Sequence, residues 1–350
     1  MKTMKKKKVV IDGLFLRFPI NGIPRYCAEV VKGLDKLLSE ENLDVTLYYP
    51  SDVKDEKLPQ LKNIKVKKLG RKVSKGWNFI YAESYARKKK ALYIELASHG
   101  SIYKNTIVCL HDIRPLTWDV EHNGTTKELN YKINFGLIAR NAKLIATDSA
   151  FCKKEISAYY NIPESKFRIT PLGWEHLKRI PDMADPPKEQ DFYFTIGSMA
   201  PHKNFEWVIN TAKNNPESKF LIAGGVDPKI WNYQADFSKT QNVKFLGYIS
   251  DEEMKWYMQH AKALLFPSFY EGFGIPPLEA LALGTPVIAS DIPVLHEIFG
   301  GTVHYINPMD YNVNLGDILQ EPVESSDEVL EKETWENAAK FWIEIIRSCC

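Results

Sequence analysis

The sequence has no apolar run approaching the roughly 18 residues that a membrane-spanning helix needs. The lysines near its start precede only Val9-Val10-Ile11, which is too short for the apolar core of a signal peptide. We therefore expect a cytoplasmic protein. Its five cysteines include no CxxC pair, so the sequence predicts neither a zinc site nor a disulfide framework. Low-complexity segments and repeats of solenoid length are also missing.

The composition is typical of a folded chain, with 44% apolar and 26% charged residues over 350 positions. This length favours about two domains. The first 175 residues carry 32 Lys and Arg against 19 Asp and Glu, whereas the remainder carries 14 against 25. The basic clusters of the first half are Lys5 to Lys8, Lys65 to Lys75 and Arg87 to Lys90. They form solvated surfaces, or they attract an anionic membrane or a diphosphate-bearing acceptor.

Short β-rich runs alternate with amphipathic helical patterns, which predicts an α/β fold with parallel sheets. The residues from Arg179 to Asp191 contain three prolines and no apolar period, so they are interpreted as a linker. We expect two doubly wound sheets in tandem, over residues 1–178 and 192–332, with a cleft between them. A last amphipathic helix, within residues 333–350, has no strand after it and should pack across existing structure. The predicted strands are 9–12, 45–49, 106–110, 144–147, 192–196, 220–223, 243–245, 263–266 and 287–289, and the predicted helices are 25–38, 153–160, 205–214, 251–261, 277–283 and 334–347.

The most informative stretch is PSFYEGFGIPPLEALALGTPVIASD, from Pro267 to Asp291. It predicts a strand end, a glycine-rich turn and a helix that starts near Pro277. Glu271 precedes the turn, and Glu279 is expected in the first helical turn. Free N–H groups at such a helix start favour an anion. Either glutamate alone could be structural, because the helix dipole favours acidic residues near a helix start. The combination points to a ligand site.

This stretch resembles the E-x₇-E segment of the retaining glycosyltransferases of family 4. The resemblance extends over nearly the whole chain and implies the GT-B fold, which has two Rossmann-like domains facing a cleft. The first domain would bind the acceptor and the second the nucleotide-sugar, while the C-terminal helix would cross back to the first domain. The other similar segments are 21–26, 110–113, 147–149, 170–173, 197–204, 242–268, 294–301 and the last helix with Trp335-Glu336 and Ala338-Ala339.

The resemblance also implies roles for individual residues. Glu279 would bind the ribose of the donor, Glu271 would lie at the donor sugar, and Lys203 would bind the diphosphate. Gly22 would let a loop of the first domain close over the phosphates. The nucleobase would lie near Tyr248 and Ile249. The implied donor-binding set is Gly22, Ser198, His202, Lys203, Tyr248, Ile249, Glu271, Gly272, Phe273, Gly274, Ile275 and Glu279.

One departure concerns the charge at the diphosphate. Many relatives have an arginine directly after the glycine that matches Gly197, whereas this chain has Ser198. His202 stands where a second cation often lies. Histidine is mostly neutral at pH 7 unless a neighbouring phosphate raises its pKa. Either the donor keeps His202 charged or the leaving group is stabilised less strongly here. The alternative interpretation is an exposed loop histidine.

In the first domain, His111 ends an apolar strand, where ligands of parallel sheets bind. A strand-end histidine can be structural, but the resemblance implies a position near the C6 oxygen and the reacting carbon of the donor sugar. The expected catalytic residues are therefore His111, Glu271 and Lys203. Asp112 would orient His111 or contact the acceptor. The cations Arg25 and Arg114 could reach acceptor phosphates or could simply lie at a helix start and in a loop.

The expected activity is the retaining transfer of a hexose or deoxyhexose from a GDP-, UDP- or dTDP-linked donor. The acceptor would be a glycan or a lipid-diphosphate-linked glycan in capsule, O-antigen or exopolysaccharide assembly at the inner face of the plasma membrane. A mannosyl- or rhamnosyltransferase-like subgroup is favoured. No DxD-like pair stands out, so neither a metal nor another cofactor is expected.

The alternatives are a nucleotide-sugar-binding protein of this fold without turnover and a nucleic-acid binder, although no binding motif supports the latter. A nicotinamide-dependent oxidoreductase is excluded because no GxGxxG follows the first strand.

Overall fold

The computed structural model describes residues 6–71, 76–118, 126–225 and 240–349. The chain forms two compact units, one of Met1–Leu172 with Glu333–Cys350 and the other of Gly173–Lys332. Each unit is a parallel sheet accompanied by helices, so the predicted α/β class is confirmed. Lys5, Lys72 and Lys75 of the predicted basic clusters lie outside the described residues. Among the helices of the described ranges, none is long and apolar enough to cross a bilayer.

The first unit contains seven strands in the order β3-β2-β1-β4-β5-β6-β7. The central strands are continuous apolar runs, as expected when both faces of a parallel sheet are covered. The edge strand β3 has the sequence KVKK, and its exposed lysines hide it from a search for apolar runs. The strands are β1 (Lys7–Asp12), β2 (Leu43–Tyr49), β3 (Lys65–Lys68), β4 (Leu92–Glu95), β5 (Thr106–Cys109), β6 (Leu144–Thr147) and β7 (Phe167–Ile169).

The helices of the first unit are α1 (Gly22–Leu37), α2 (Ser84–Lys89), α3 (Arg114–Thr117), α4 (Thr126–Asn141), α5 (Ala150–Tyr160) and α12 (Trp335–Cys349). The last helix packs against α1. This crossing is close because Gly33 has no side chain. A Cβ placed on Gly33 would lie 2.6 Å from the Cβ of Ala339. Trp342 is fully buried, and its indole N–H donates to the Tyr26 hydroxyl at 2.8 Å.

The second unit contains six strands in the order β10-β9-β8-β11-β12-β13. The chain runs outward from β8 to β10 and then returns to the other side of β8, so the strand order reverses between β8 and β11. Ligands of open parallel sheets bind at such a reversal. The strands are β8 (Phe192–Ile196), β9 (Lys219–Ala223), β10 (Val243–Gly247), β11 (Leu264–Phe266), β12 (Val287–Ser290) and β13 (His304–Ile306). The helices are α6 (Phe205–Asn214), α7 (Asp251–His260), α8 (Ile275–Ala282), α9 (Pro293–Phe299), α10 (Leu315–Ile318) and α11 (Asp327–Lys332).

Helix α8 begins earlier than predicted. The left-handed φ of +117° at Gly274 turns the chain so that Ile275 is already helical. Glu279 is therefore the fifth residue of the helix, and its predicted place in the first turn is wrong. The helix ends at Ala282, and Gly284 follows it with a φ of +78°, as expected for the glycine that stops the helix. The N–H groups of Gly284 and Thr285 bond back to the carbonyls of Leu281 and Ala280, which is the Schellman pattern.

Residues 180–191, within the predicted linker, form neither helix nor strand. They are tied to the second unit by the ammonium of Lys255, which lies 2.8 Å from both the Ile180 carbonyl and the Asp182 carboxylate. Glu189 forms a further ion pair with Lys244 on β10. These contacts explain why a proline-rich segment without secondary structure still follows one path over the second unit.

Candidate functional site

The ends of β8 and β11 bring a cation and a carboxylate together. Lys203 follows β8 and Glu271 follows β11, and the two strands are neighbours in the sheet. The Lys203 ammonium lies 2.6 Å from Glu271 Oε1. The two side chains are 18% and 12% exposed, so the pair is shielded yet open to a ligand. Residues 68 positions apart are thus joined at the point where the strand order reverses.

Hydrogen bonds hold the loop of Lys203 against the segments after β11 and β13. Asn204 has a left-handed φ of +53° and donates its side-chain amide to the carbonyls of Pro267 and Pro308. The His202 carbonyl accepts the Phe269 N–H at 2.7 Å. His202 itself is only 4% exposed, so its interpretation as an exposed loop histidine is wrong. The Asn204 side chain and the His202 backbone thus fix the loop, and both residues are buried.

The glycine turn after Glu271 presents backbone donors. The N–H groups of Phe273, Gly274 and Ile275 meet no acceptor in the described part of the chain. Pro276 and Pro277 follow, and they have no N–H, so these three groups are the donors at the start of α8. Buried N–H groups without a partner cost free energy. An anion bound at the positive end of the helix would satisfy them.

Glu279 is paired within the second unit. Its Oε1 lies 2.9 Å from His176 Nε2, and the two side chains are only 7% and 2% exposed. His176 belongs to a single 3-10 turn, Glu175–Arg179, and Glu279 projects from α8. Glu279 was predicted at the site from its motif, whereas no motif pointed to His176. The one feature of the sequence that could have drawn attention to His176 is its position, three residues after the Pro171-Leu172-Gly173 turn.

The remaining predicted donor residues lie near the carboxyl ends of the strands. Ser198 is exposed two residues after β8. Tyr248 and Ile249 follow β10, where Gly247 has a φ of +71° and accepts the Gly224 N–H. Tyr248 is 73% exposed, so its ring is available for stacking. Their roles toward a donor stay predictions.

In the first unit, His111 is held between two oxygen acceptors. It follows β5, and its Nδ1 lies 2.9 Å from Asp148 Oδ2, which follows the neighbouring strand β6. Its Nε2 lies 3.0 Å from the Leu96 carbonyl. Only a ring protonated at both nitrogens can donate to both oxygens. Burial lowers the pKa of His111, but the charge and hydrogen bond of Asp148, together with the contact with Cys109, outweigh burial and hold that pKa well above the ordinary value.

Aromatic and thiol groups enclose His111. The Tyr26 ring meets the imidazole edge-on, with centroids 4.9 Å apart. Cys109 Sγ lies 3.7 Å from Nδ1. Burial raises the pKa of Cys109 and raises that of Tyr26 well above its ordinary value, which keeps both groups neutral at pH 7. The indole of Trp342 reaches this group through the Tyr26 hydroxyl. The positive charge of His111 is thus paired with the Asp148 carboxylate, while Tyr26, Cys109 and Trp342 around it are neutral.

The predicted acceptor residues Asp112, Arg114 and Arg25 all lie in the first unit. Asp112 follows His111, and its carboxylate accepts the N–H of Arg114, the first residue of α3, at 3.0 Å. Arg25 is 9% exposed within α1. Gly22 begins α1 with a φ of +35° and has open space at its Cβ position. Their acceptor and loop-closing roles stay predictions.

Two groups of side chains have metal-ligand chemistry, Cys109–His111–Asp148 and Asp12–Glu95–His99. In the first, the Asp148 oxygens accept from the imidazole. In the second, both Asp12 oxygens accept from Leu14 and Tyr93, and both Glu95 oxygens accept backbone N–H groups. Burial raises the pKa of Asp12 to about 6. Each of these carboxylate oxygens thus already accepts a hydrogen bond from the described residues, and the expectation that no metal is needed stays a prediction.

The comparisons with known proteins agree with this geometry. Residues 178–308 match the family model described as glycosyl transferases group 1. The chain is 29% identical over 213 residues to the O-antigen chain mannosyltransferase RfbU of Salmonella typhimurium, covering 60% of this chain and 58% of that protein. It is 25% identical over 354 residues to the O-antigen chain mannosyltransferase B of Escherichia coli, covering 89% and 90%. Residues 178–308 are thus similar to the group 1 glycosyltransferases, and the relatives that match over longer stretches are also glycosyltransferases.

Solved structures support the same fold for this glycosyltransferase. Sucrose-phosphate synthase from Thermosynechococcus elongatus matches with a TM-score of 0.72 and 18% identity over 98% of both chains. WaaG, a glycosyltransferase involved in lipopolysaccharide biosynthesis, matches with a TM-score of 0.61 and 15% identity over 95% and 94%. The predicted GT-B fold and the predicted transferase class are confirmed.

Proposed function

We propose that this glycosyltransferase moves a hexose or deoxyhexose, first of all mannose, from a nucleoside-diphosphate sugar to a glycan or a lipid-linked glycan. The first two similar proteins are named O-antigen chain mannosyltransferases, which supports a role in surface-polysaccharide assembly. The observation that carries the proposal is the Lys203–Glu271 pair directly before a turn with three unpaired N–H groups.

The chemistry of this site suits a diphosphate leaving group. As the glycosidic bond breaks, negative charge grows on the departing phosphate oxygens. A fixed ammonium and the N–H groups at a helix start stabilise that charge without reorganising. The Glu271 carboxylate, 2.6 Å from Lys203, would stabilise positive charge at the reacting sugar carbon. Two neighbouring groups of opposite charge thus match the two charges that separate in the transition state.

We propose that the reaction proceeds with retention and needs no metal, because Lys203 and the helix start supply the positive charge. His111 would act at the donor sugar as a fixed cation rather than as a base, since both of its nitrogens already donate. Proton NMR of the product would report the anomeric configuration. Activity that survives EDTA and a product with retained configuration are expected. Inversion, or loss of activity in EDTA, would contradict these two points.

The donor proposal is tested with a panel of GDP-mannose, UDP-glucose and dTDP-rhamnose. We expect one nucleotide class to raise the melting temperature and to release sugar slowly. Lys203→Ala should reduce release by about 100-fold or more, the usual effect of removing one transition-state donor. Lys213→Ala, on the exposed side of α6, is the matched control. Stabilisation without release, even with added acceptor glycans, would favour the binding protein without turnover, and no response at all would contradict donor binding.

We further propose that the basic surface of the first unit contacts an anionic membrane. The exposed lysines of β3 and the exposed run Arg87 to Lys90 belong to one unit. Each basic residue near an anionic surface contributes about 1 kcal/mol. Vesicles of phosphatidylglycerol should bind the protein and those of phosphatidylcholine should not. Replacing Arg87 to Lys90 with glutamate should abolish binding, and equal binding to both vesicles would contradict the proposal.

A further inference from the structure

The second unit contains one buried histidine–glutamate pair that the proposed reaction does not yet use. His176 Nε2 lies 2.9 Å from Glu279 Oε1, and both side chains are more than nine-tenths buried. No other hydrogen-bond donor of the described residues contacts the Glu279 side chain. A carboxylate has two oxygens and about four lone-pair sites. Most of this capacity is therefore unused.

A buried carboxylate with a single partner is costly, because burial removes the water that would otherwise donate to it. The cost is offset when a ligand brings further donors. The vicinal hydroxyls of a ribose are such donors, and α8 starts with the N–H groups that would hold the neighbouring phosphates. The His176 contact occupies Oε1, and Oε2 has no partner among the described residues. It also restricts the rotation of the Glu279 side chain.

We propose that His176 is a positioning residue that holds the Glu279 carboxylate so that its second oxygen receives the ribose hydroxyls of the nucleotide-sugar. The inference rests on the proposed donor binding. His176 would then control how strongly the enzyme prefers a ribonucleotide over its deoxy counterpart, although it touches no substrate itself. A merely structural pair would stabilise the fold without affecting this preference.

The test is calorimetric binding of GDP and UDP against their 2′,3′-dideoxy counterparts, and of dTDP against its 3′-deoxy counterpart. Wild type should prefer the hydroxylated nucleotide by about tenfold or more, because hydrogen bonds to charged groups contribute about 1.5–3 kcal/mol. His176→Phe keeps a buried ring without nitrogens, and His176→Asn is too short to reach Glu279. Both should reduce the preference to below about threefold. His176→Gln, which can reach, should keep most of it.

Two controls separate positioning from general damage. Inorganic pyrophosphate contains no ribose, so its affinity should stay within about twofold in every His176 variant. His260→Gln changes an exposed histidine of α7 that bonds only its own helix and should leave the preference unchanged. A full ribose preference in folded His176→Phe or His176→Asn would overturn the inference. An equal loss of pyrophosphate affinity would overturn it as well. If wild type bound no nucleotide, the proposed function itself would fail.

Discussion

The Lys203 ammonium and the Glu271 carboxylate lie 2.6 Å apart between the ends of β8 and β11. In the free protein each charge neutralises the other. An arriving diphosphate must share Lys203 with a carboxylate of its own sign. Binding and turnover therefore place opposite demands on Glu271, because its charge opposes the diphosphate but matches the positive sugar carbon of the transition state.

Glu271→Gln should change nucleotide affinity and turnover in opposite directions. We expect nucleoside diphosphate to bind about threefold to tenfold more tightly, because removing a like charge at a partly shielded site gains about 1 kcal/mol. Turnover of the nucleotide-sugar should fall by about 100-fold, because the developing positive charge loses its partner. Calorimetry and a sugar-release assay measure the two effects. Glu206→Gln, in the exposed first turn of α6, is the control, and weaker binding in Glu271→Gln would contradict the prediction.

The Asp148→Asn variant should reveal the charge on His111 through its pH dependence. The folded-state pKa of His111 is raised well above its ordinary value near 6.5, so its pairing with Asp148 stabilises the fold fully below that pH. This stabilisation is lost as the pH rises through the folded-state pKa. The variant should therefore be less stable by about 3 kcal/mol at pH 6, and the difference should shrink toward pH 9. Urea unfolding at pH 6, 7, 8 and 9 measures it.

The control for this pH dependence is Asp185→Asn, which removes an exposed carboxylate of the second unit. Its effect on the free energy of unfolding should be small at every pH. A penalty for Asp148→Asn that stayed constant or grew from pH 6 to pH 9 would show that His111 is not the charged partner. Direct NMR titration of the His111 ring would give the same answer from the histidine side.

The sequence could predict the motif but not the pairs that it forms. Short apolar runs and glycine positions placed β8, β11 and the turn before α8, because these features are local. The contact between Lys203 and Glu271 depends on which strands are neighbours, and strand order is not local information. The contacts of Asp148 and His176 were not predicted for the same reason. Asp148 pairs with a residue 37 positions away in the sequence, and His176 pairs with one 103 positions away. Strand β3 was not predicted, because a short run rich in lysine is also typical of a solvated loop.

Gly33→Ala should test the crossing of α1 and α12. Alanine favours a helix by about 1 kcal/mol over glycine, but the new methyl group would lie 2.6 Å from the Cβ of Ala339. We expect a net loss of about 1–3 kcal/mol in the free energy of unfolding. Gly136→Ala in α4 is the control, because its Cβ would lie at an ordinary 3.5 Å from the Tyr160 ring. That change should be neutral or stabilising, and equal effects of the two changes would contradict the close crossing.

Gly274→Ala should weaken diphosphate binding. This loss of affinity should be larger than the loss of stability alone would cause. Gly274 has a φ of +117°, and an added Cβ would lie 3.1 Å from atoms of Leu295 and Phe299 on α9. Relief of this contact must move the turn that carries the unpaired N–H groups.

Gly284→Ala is the matched control, because Gly284 has a φ of +78° and no atom within 4 Å of its Cβ position. Both variants should lose about 1–2 kcal/mol of stability through backbone strain. Only Gly274→Ala should weaken pyrophosphate binding, by about tenfold or more, because the donors at the start of α8 are displaced. Calorimetry at a temperature where both variants are folded makes the comparison, and equal affinities would mean that the turn does not hold the phosphates.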